Sequence, residues 1–192
     1  MFIMSVLETR KKERADTGTS KSMEELLFSK SEPTVLVLEK MLEDTIQLKV
    51  AGQKWIDRTW IPKEARNFFN TNGTFLYRLS SIHYKGKVLS ESLAFADVSL
   101  LQEKMIEKLE TGNIPIDKLV QQIETRRNIL YQGYQPSGNI LALFDGFSLK
   151  SSIFPTVKYQ ILQNLKCIFY ICEIFHADNL YNLLYKCPYI KG

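Results

Sequence analysis

Two charged residues stand where a sheet would not ordinarily bury charge. Residues 74–84, TFLYRLSSIHY, alternate as a strand with one covered face. Leu76, Arg78, Ser80, Ile82 and Tyr84 point one way, and Phe75, Tyr77, Leu79, Ser81 and His83 the other. Arg78 therefore shares a face with apolar neighbours. Far along the chain, Cys167, Phe169, Ile171, Glu173 and Phe175 share a face of another strand, so Glu173 is a carboxylate in an apolar row. Burying either charge alone costs several kcal/mol. Two readings stay open. The charges pair inside the sheet or reach solvent at an edge. Alternatively they share a pocket, in which Arg78 grips a ligand carboxylate bidentately and helix-start amides near Ile116 add donors. Glu173, its pKa raised by burial, would then move a proton.

No other signature competes. The chain has no phosphate-binding glycine loop, no nucleophile elbow and no His/Cys metal spacing. Only His83 and His176 could supply imidazole, so a His-rich metal site is not expected. Cys167, Cys172 and Cys187 form no CxxC pair. The first two lie five apart in an apolar run and read as reduced core residues on opposite strand faces. Asp44, Asp57 and Glu64 read as solvated surface charges, and Ser90 and Ser92 as structural hydroxyls.

The elements that must position Arg78 and Glu173 can be drawn from the pattern. Residues 74–97 form two strands folded back at Lys85-Gly86. Ahead of them come a short helix at 23–28 and a helix over 34–42, with Ser31 as N-cap and Val35, Leu38 and Leu42 on one side. A strand over 45–55 follows, with Ile46, Leu48 and Val50 on one face, and then a helix from Pro62 to about Phe69. Beyond the hairpin, residues 98–109 carry an apolar helical stripe through Leu101, Met105 and Ile106 or Leu109, ended by Gly112. Pro115 opens a short helix. A strand over 124–135 puts Arg126 and Arg127 on opposite faces. A helical turn begins at Ser137. A last hairpin, 156–162 and 166–175, turns at Gln163-Asn164. The expected fold class is α+β, a single antiparallel sheet of about six strands with short helices packed on it. The expected division is a flexible tail over 1–22, one domain over 23–176 and a C-terminal tail over 177–192.

Totals set the outer bounds. The chain has 192 residues, 45% apolar and 24% charged, ordinary values for a globular domain. Net charge is +4 and the pI near 8.8, too mild for a nucleic-acid footprint. No run of 18 apolar residues exists, so no membrane span is expected.

The ordered set Tyr-Arg, Gly-Lys and Ser-Glu-Ser in the first hairpin, then Gly-Asn-Ile-Pro-Ile-Asp-Lys-Leu, Glu-Thr-Arg-Arg, Lys-Tyr-Gln-Ile and Cys-Glu-Ile-Phe resembles the chorismate lyase family. The resemblance is narrower to its branch in archaea, cyanobacteria and red-algal plastids, and covers roughly residues 26–176. It implies a lyase that removes pyruvate from chorismate and leaves 4-hydroxybenzoate for quinone biosynthesis, with no cofactor. On this resemblance Arg78 is the carboxylate-binding arginine and Glu173 the acid that assists proton movement. Ile116 and Thr34 (or its neighbour Pro33) supply backbone contacts to substrate. The implied compartment is a plastid stroma if the gene is plastid-encoded, otherwise the cytoplasm.

Three departures stand out. Asp117 takes the place of a family glycine, His176 that of a proline, and Lys158 and Gln160 lie where the family tends to carry arginines. A negative side chain beside an anion site would weaken substrate binding, unless it merely points outward. Two other classes therefore stand beside the lyase. One is a catalytically degenerate family member. The other is a small-molecule sensor, since effector domains of some bacterial repressors share this fold. A leader of 22 residues is too short for a helix-turn-helix domain, so a sensor of this kind would need a separate partner.

Overall fold

The computed structural model describes residues 28, 33–112, 114–141 and 152–185. The tail expected over 1–22 lies outside them, as do Cys187 and all of the 23–28 helix but Phe28. The described helices are α1 (Thr34–Leu42), α2 (Lys63–Arg66), α3 (Glu103–Glu110), α4 (Ile116–Val120), α5 (Ser137–Leu141) and α6 (Ala177–Tyr185). The strands are β1 (Gln47–Asp57), β2 (Thr74–Tyr84), β3 (Lys87–Asp97), β4 (Arg126–Pro136), β5 (Ile153–Gln163) and β6 (Lys166–Phe175). They form one sheet in the order β1-β2-β3-β6-β5-β4, antiparallel throughout. The expected α+β class is the observed one.

Two three-stranded meanders thus meet at the β3–β6 seam. That seam brings residues near 78 and near 173 into one neighbourhood. The β2–β3 turn has Lys85 and Gly86 both at positive φ, 47° and 75°, which matches the right-handed twist of the strands it joins. The β5–β6 turn sits one residue later than the sequence suggests. It uses Asn164 and Leu165, at φ 48° and 64°. Leucine rarely takes the left-handed region, so no sequence signal marked it.

Each face of the sheet carries its own core. The near face packs Leu76, Ile82, Ala94, Tyr159, Phe169 and Ile171 against Val35 and Leu38 of α1, Met105 and Leu109 of α3, and Leu119 of α4. Leu180 of α6, in the stretch expected to be a tail, is buried there too. The far face packs Phe75, Leu79, Leu93, Phe95, Tyr170 and Ile174 against Ile61, Ala65 and Phe69.

Several boundaries are corrected. Helix α1 covers the expected residues 34–42, but Pro33, not Ser31, takes its cap position. The helix expected over 98–109 is split, because the Asp97 carboxylate accepts from Ser99 N and caps a separate 3-10 turn at Val98–Leu100. The helix expected from Pro62 to Phe69 stops at Arg66. The β5–β6 register shifts between Ile161 and Leu162, which face Phe169 and Cys167. Ile168 consequently joins the near core and Cys167 the far one. Cys167 and Cys172 therefore share a face rather than opposing each other. Both are buried free thiols, pushed by burial up to about 12.

Candidate functional site

Cross-strand register sets the geometry. Arg78 on β2 pairs with Ala94 on β3, which pairs with Ile171 on β6 and then Tyr159 on β5. The next row of the same face runs Ser80, Ser92, Glu173 and Val157. Arg78 and Glu173 thus stand two strands and two residues apart on one surface. Helix α1 and the segment 114–117 roof it. Between sheet and roof lies a cavity of about 30 Å³, lined by Arg78, Ser80, Ser92, Ile116, Asp117, Tyr159 and Glu173 among others. That space holds roughly one or two waters. Past Val35, Leu48, Ile82 and Pro115, walls common to both, lies an outer groove of about 260 Å³. Lys118 of α4 and Glu39 of α1 pair across it at 3.0 Å.

Arg78 is 2% exposed. Its Nη2 donates to the carbonyls of Gly112 and Ile114, at 2.7 and 3.0 Å. Gly112 reaches this position because it takes φ +87° just after α3. The Nε and Nη1 groups are buried and meet no acceptor. No carboxylate among the described residues pairs with this guanidinium, and burial alone draws its pKa down to about 10. It stays protonated at neutral pH. The reading in which Arg78 and Glu173 pair inside the sheet is therefore corrected.

Glu173, 3% exposed, instead accepts from Thr34 Oγ1 and Ser90 Oγ, both at 2.9 Å. Burial and the nearby Asp117 charge push its carboxyl up to about 7, against the pull of Arg127 and those two hydroxyls. A carboxyl at that value exchanges protons at neutral pH. Thr34 thus reaches the site through its side chain, with Glu173 as its partner. Ile116 lines the same cavity.

The sequence reading missed half of this site. Ser90 is a partner of Glu173 and Ser92 faces Ser80 at 2.9 Å in the cavity wall, so neither is a mere strand hydroxyl. Asp117 points inward and accepts a hydrogen bond from the Tyr159 hydroxyl. Burial raises its pKa, with Arg127 and Tyr159 opposing. The Arg127 guanidinium lies 3.7 Å above the Tyr159 ring. Burial works against its charge, but Tyr159, Asp117 and Glu173 more than offset that and raise its pKa. The period-two pattern did separate Arg127 from Arg126. Nothing in it announced that α4, β4 and β5 converge. Lys158 and Gln160, by contrast, lie on the face away from the cavity. Among the described residues no His/Cys/Asp/Glu group could hold a metal ion, and no helix is long and apolar enough to cross a membrane.

No family model matches this sequence, and no curated protein does. Solved structures do resemble it. PhnF from Mycobacterium smegmatis superposes with a TM-score of 0.54 at 8% identity, over 76% of this chain and 64% of that one, so the present chain spans about two thirds of it. The effector domain of PhnF alone gives 0.53 at 6% identity, over 77% and 90%. Gene product SA0254 from Staphylococcus aureus subsp. aureus N315 gives 0.53 at 14% identity, over 79% and 92%. The ligand-binding domain of a regulator assigned to the GntR family, from Bordetella bronchiseptica, gives 0.47 at 8% identity, over 69% and 86%. At these identities what is shared is the fold alone.

Proposed function

We propose that this protein is a small-molecule binding domain whose ligand presents a carboxylate to Arg78. One observation carries the reading: a guanidinium 2% exposed, with Nε and Nη1 unsatisfied beside a cavity. A buried charge with idle donors is costly, and an anion that accepts from them is the group that offsets it. The sensor reading of the sequence gains support from the fold shared with the PhnF effector domain. A ligand larger than a carboxylate group enters by displacing the walls between the inner cavity and the outer groove.

A second reading is favoured by a separate observation, the Glu173 carboxyl at about 7 in the same cavity. This is the cofactor-independent lyase acting on chorismate, with quinone biosynthesis as its setting. Arg78 and backbone near Ile116 would orient the substrate, and protonated Glu173 would assist the elimination of pyruvate as a general acid.

Calorimetric titration of the full chain with 4-hydroxybenzoate and with chorismate, with pyruvate followed in parallel, separates the two. Saturable binding that falls at least a hundredfold in Arg78→Met, without pyruvate release, is the expected result. Equal amounts of pyruvate and 4-hydroxybenzoate, lost in Glu173→Gln, would establish the lyase. An Arg78→Met protein that binds as well as wild type would overturn the anion clamp in either reading.

A further inference from the structure

The two edges of the sheet are finished differently. The edge strand β4 ends in Pro136 and has Phe28 against it, which accepts from Gln132 Nε2 at 2.9 Å and meets the Tyr134 ring edge-on. Proline and a covering segment are ordinary ways of closing an edge. At the other edge, β1 has β2 as its one strand neighbour among the described residues. A groove of about 340 Å³ lies there, lined by Lys54, Trp55, Ile56, Asp57, Trp60 and Thr74. The first four are consecutive in β1. Lys54 and Ile56 pair with Tyr77 and Phe75 and belong to the far face, whereas Trp55 and Asp57 pair with Leu76 and Thr74 and belong to the near one. A groove touched by both sets follows the edge of the strand, where a further strand would lie, rather than either face.

The rim of this groove is two-sided in its chemistry. On the far side Lys54 is exposed, as is Lys49 beyond the bulge between Val50 and Gly52. On the near side Trp55 is 43% exposed, and Trp60, just past the strand, is 73% exposed. Neighbouring indoles left open to this degree mark a contact surface. Trp60 stands on a pinned 3-10 turn, Arg58–Trp60. The Arg58 guanidinium donates to the carbonyls of Arg66, Phe69 and Thr71 and to Asn72 Oδ1, at 2.7–3.3 Å. Edge lysines ordinarily guard against a further strand. That guard works against a basic or apolar strand, but an acidic one would pair its carboxylates with them across the edge. Asp57 discourages carboxylates on the near side and leaves the indoles to apolar residues.

We propose that the β1 edge takes an extended segment of a partner protein, with acidic residues alternating with apolar ones, added as a seventh strand. The groove shares no lining residue with the Arg78 cavity, and the inference does not depend on what fills that cavity.

The test is titration of the full chain with an eight-residue peptide that alternates glutamate and valine. Both tryptophans of the chain line this groove, so their emission reports the site. A saturable shift to shorter wavelength is expected, with the lysine–valine counterpart binding about tenfold weaker. Lys54→Glu should narrow that gap several-fold while its thermal melt stays cooperative. Methylating the amides of either the valines or the glutamates blocks one edge of the peptide, and at least one of the two versions should bind about tenfold weaker. Equal binding of the acidic and basic peptides would overturn the inference, as would a gap unchanged in folded Lys54→Glu. Both methylated peptides binding as tightly as the parent would show contact through side chains without strand addition, and would overturn it too. So would an unchanged emission at millimolar peptide. A wild-type chain that sediments as a dimer, with its tryptophan emission already shifted and deaf to peptide, would give this edge to a second copy instead.

Discussion

Each face of the sheet buries a basic side chain, and the two are treated differently. On the far face, Lys158 is 6% exposed and its Nζ lies 2.6 Å from Glu64 Oε1. The same oxygen accepts from Tyr170 at 2.7 Å, and Phe68 stacks on the Tyr170 ring. Burial works to raise the Glu64 pKa, but the hydrogen bonds from Lys158 and Tyr170 and the lysine charge bring it below the usual value. Glu64, expected to be a solvated surface charge, is thus the counterion of a buried lysine. On the near face, Arg78 has two carbonyls and idle donors. Glu173 shares its cavity yet is turned to Thr34 and Ser90. A network closed within the protein marks structure. The charge left open beside the cavity is the one on which the proposed ligand site rests.

The largest expected effect is on the near face. Glu173 ionises near 4.5 when unfolded and at about 7 when folded, so the folded state holds its proton more tightly. Its contribution to stability is complete below the unfolded value and is lost as pH rises through the folded one. From pH 4 to pH 8 that loss amounts to about 3 kcal/mol. Glu173→Gln cannot ionise, so its urea-derived stability should gain on wild type by about that amount across the window. Parallel curves for the two proteins would show a carboxyl that ionises freely in the fold, and the contrast between faces would lose one side.

A smaller effect tests the far face. Glu64→Leu leaves the Lys158 ammonium buried without its partner and the Tyr170 hydroxyl without its acceptor. A fully buried pair broken this way costs about 3–5 kcal/mol, and the partial exposure of Glu64 reduces the figure to roughly 2 kcal/mol. The shift should appear in the urea midpoint with the slope unchanged. A stability equal to wild type would mean that water already satisfies Lys158.

Much of the scaffold was legible because period-two alternation survives wherever a strand has one consistent inside. Residues 74–97 read correctly down to the Lys85-Gly86 turn, and helix α1 to both its ends. What escaped was local and steric. A register shift has no compositional mark, so Cys167 and Ile168 exchange faces unannounced. At the site, Arg78 and Glu173 were legible as charges in apolar rows. Asp117 stood out as a departure beside the anion site, but its meeting with Tyr159 and Arg127 was not legible, because it depends on α4 folding over β4 and β5. Lys158 sits between buried Val157 and Tyr159 and reads as the outward member of an alternating strand; only the covering segment around Glu64 makes that outward side an interior.

The smallest expected change is the sharpest test of the contrast. Arg78→Met removes a desolvated charge and its idle N–H groups, which is favourable, and gives up two hydrogen bonds to Gly112 and Ile114 carbonyls, which is not. Methionine fills most of the same channel with apolar atoms. The opposing contributions are similar in size, so stability should move by less than about 1 kcal/mol in either direction. On the far face, Glu64→Leu removes one member of a closed network and should cost more. A loss for Arg78→Met as large as that for Glu64→Leu, measured by the same urea titration, would mean that Arg78 is held for structure. Its two carbonyl bonds would then be tethering the 112–114 segment to the sheet, and the donors left idle would no longer argue for a ligand.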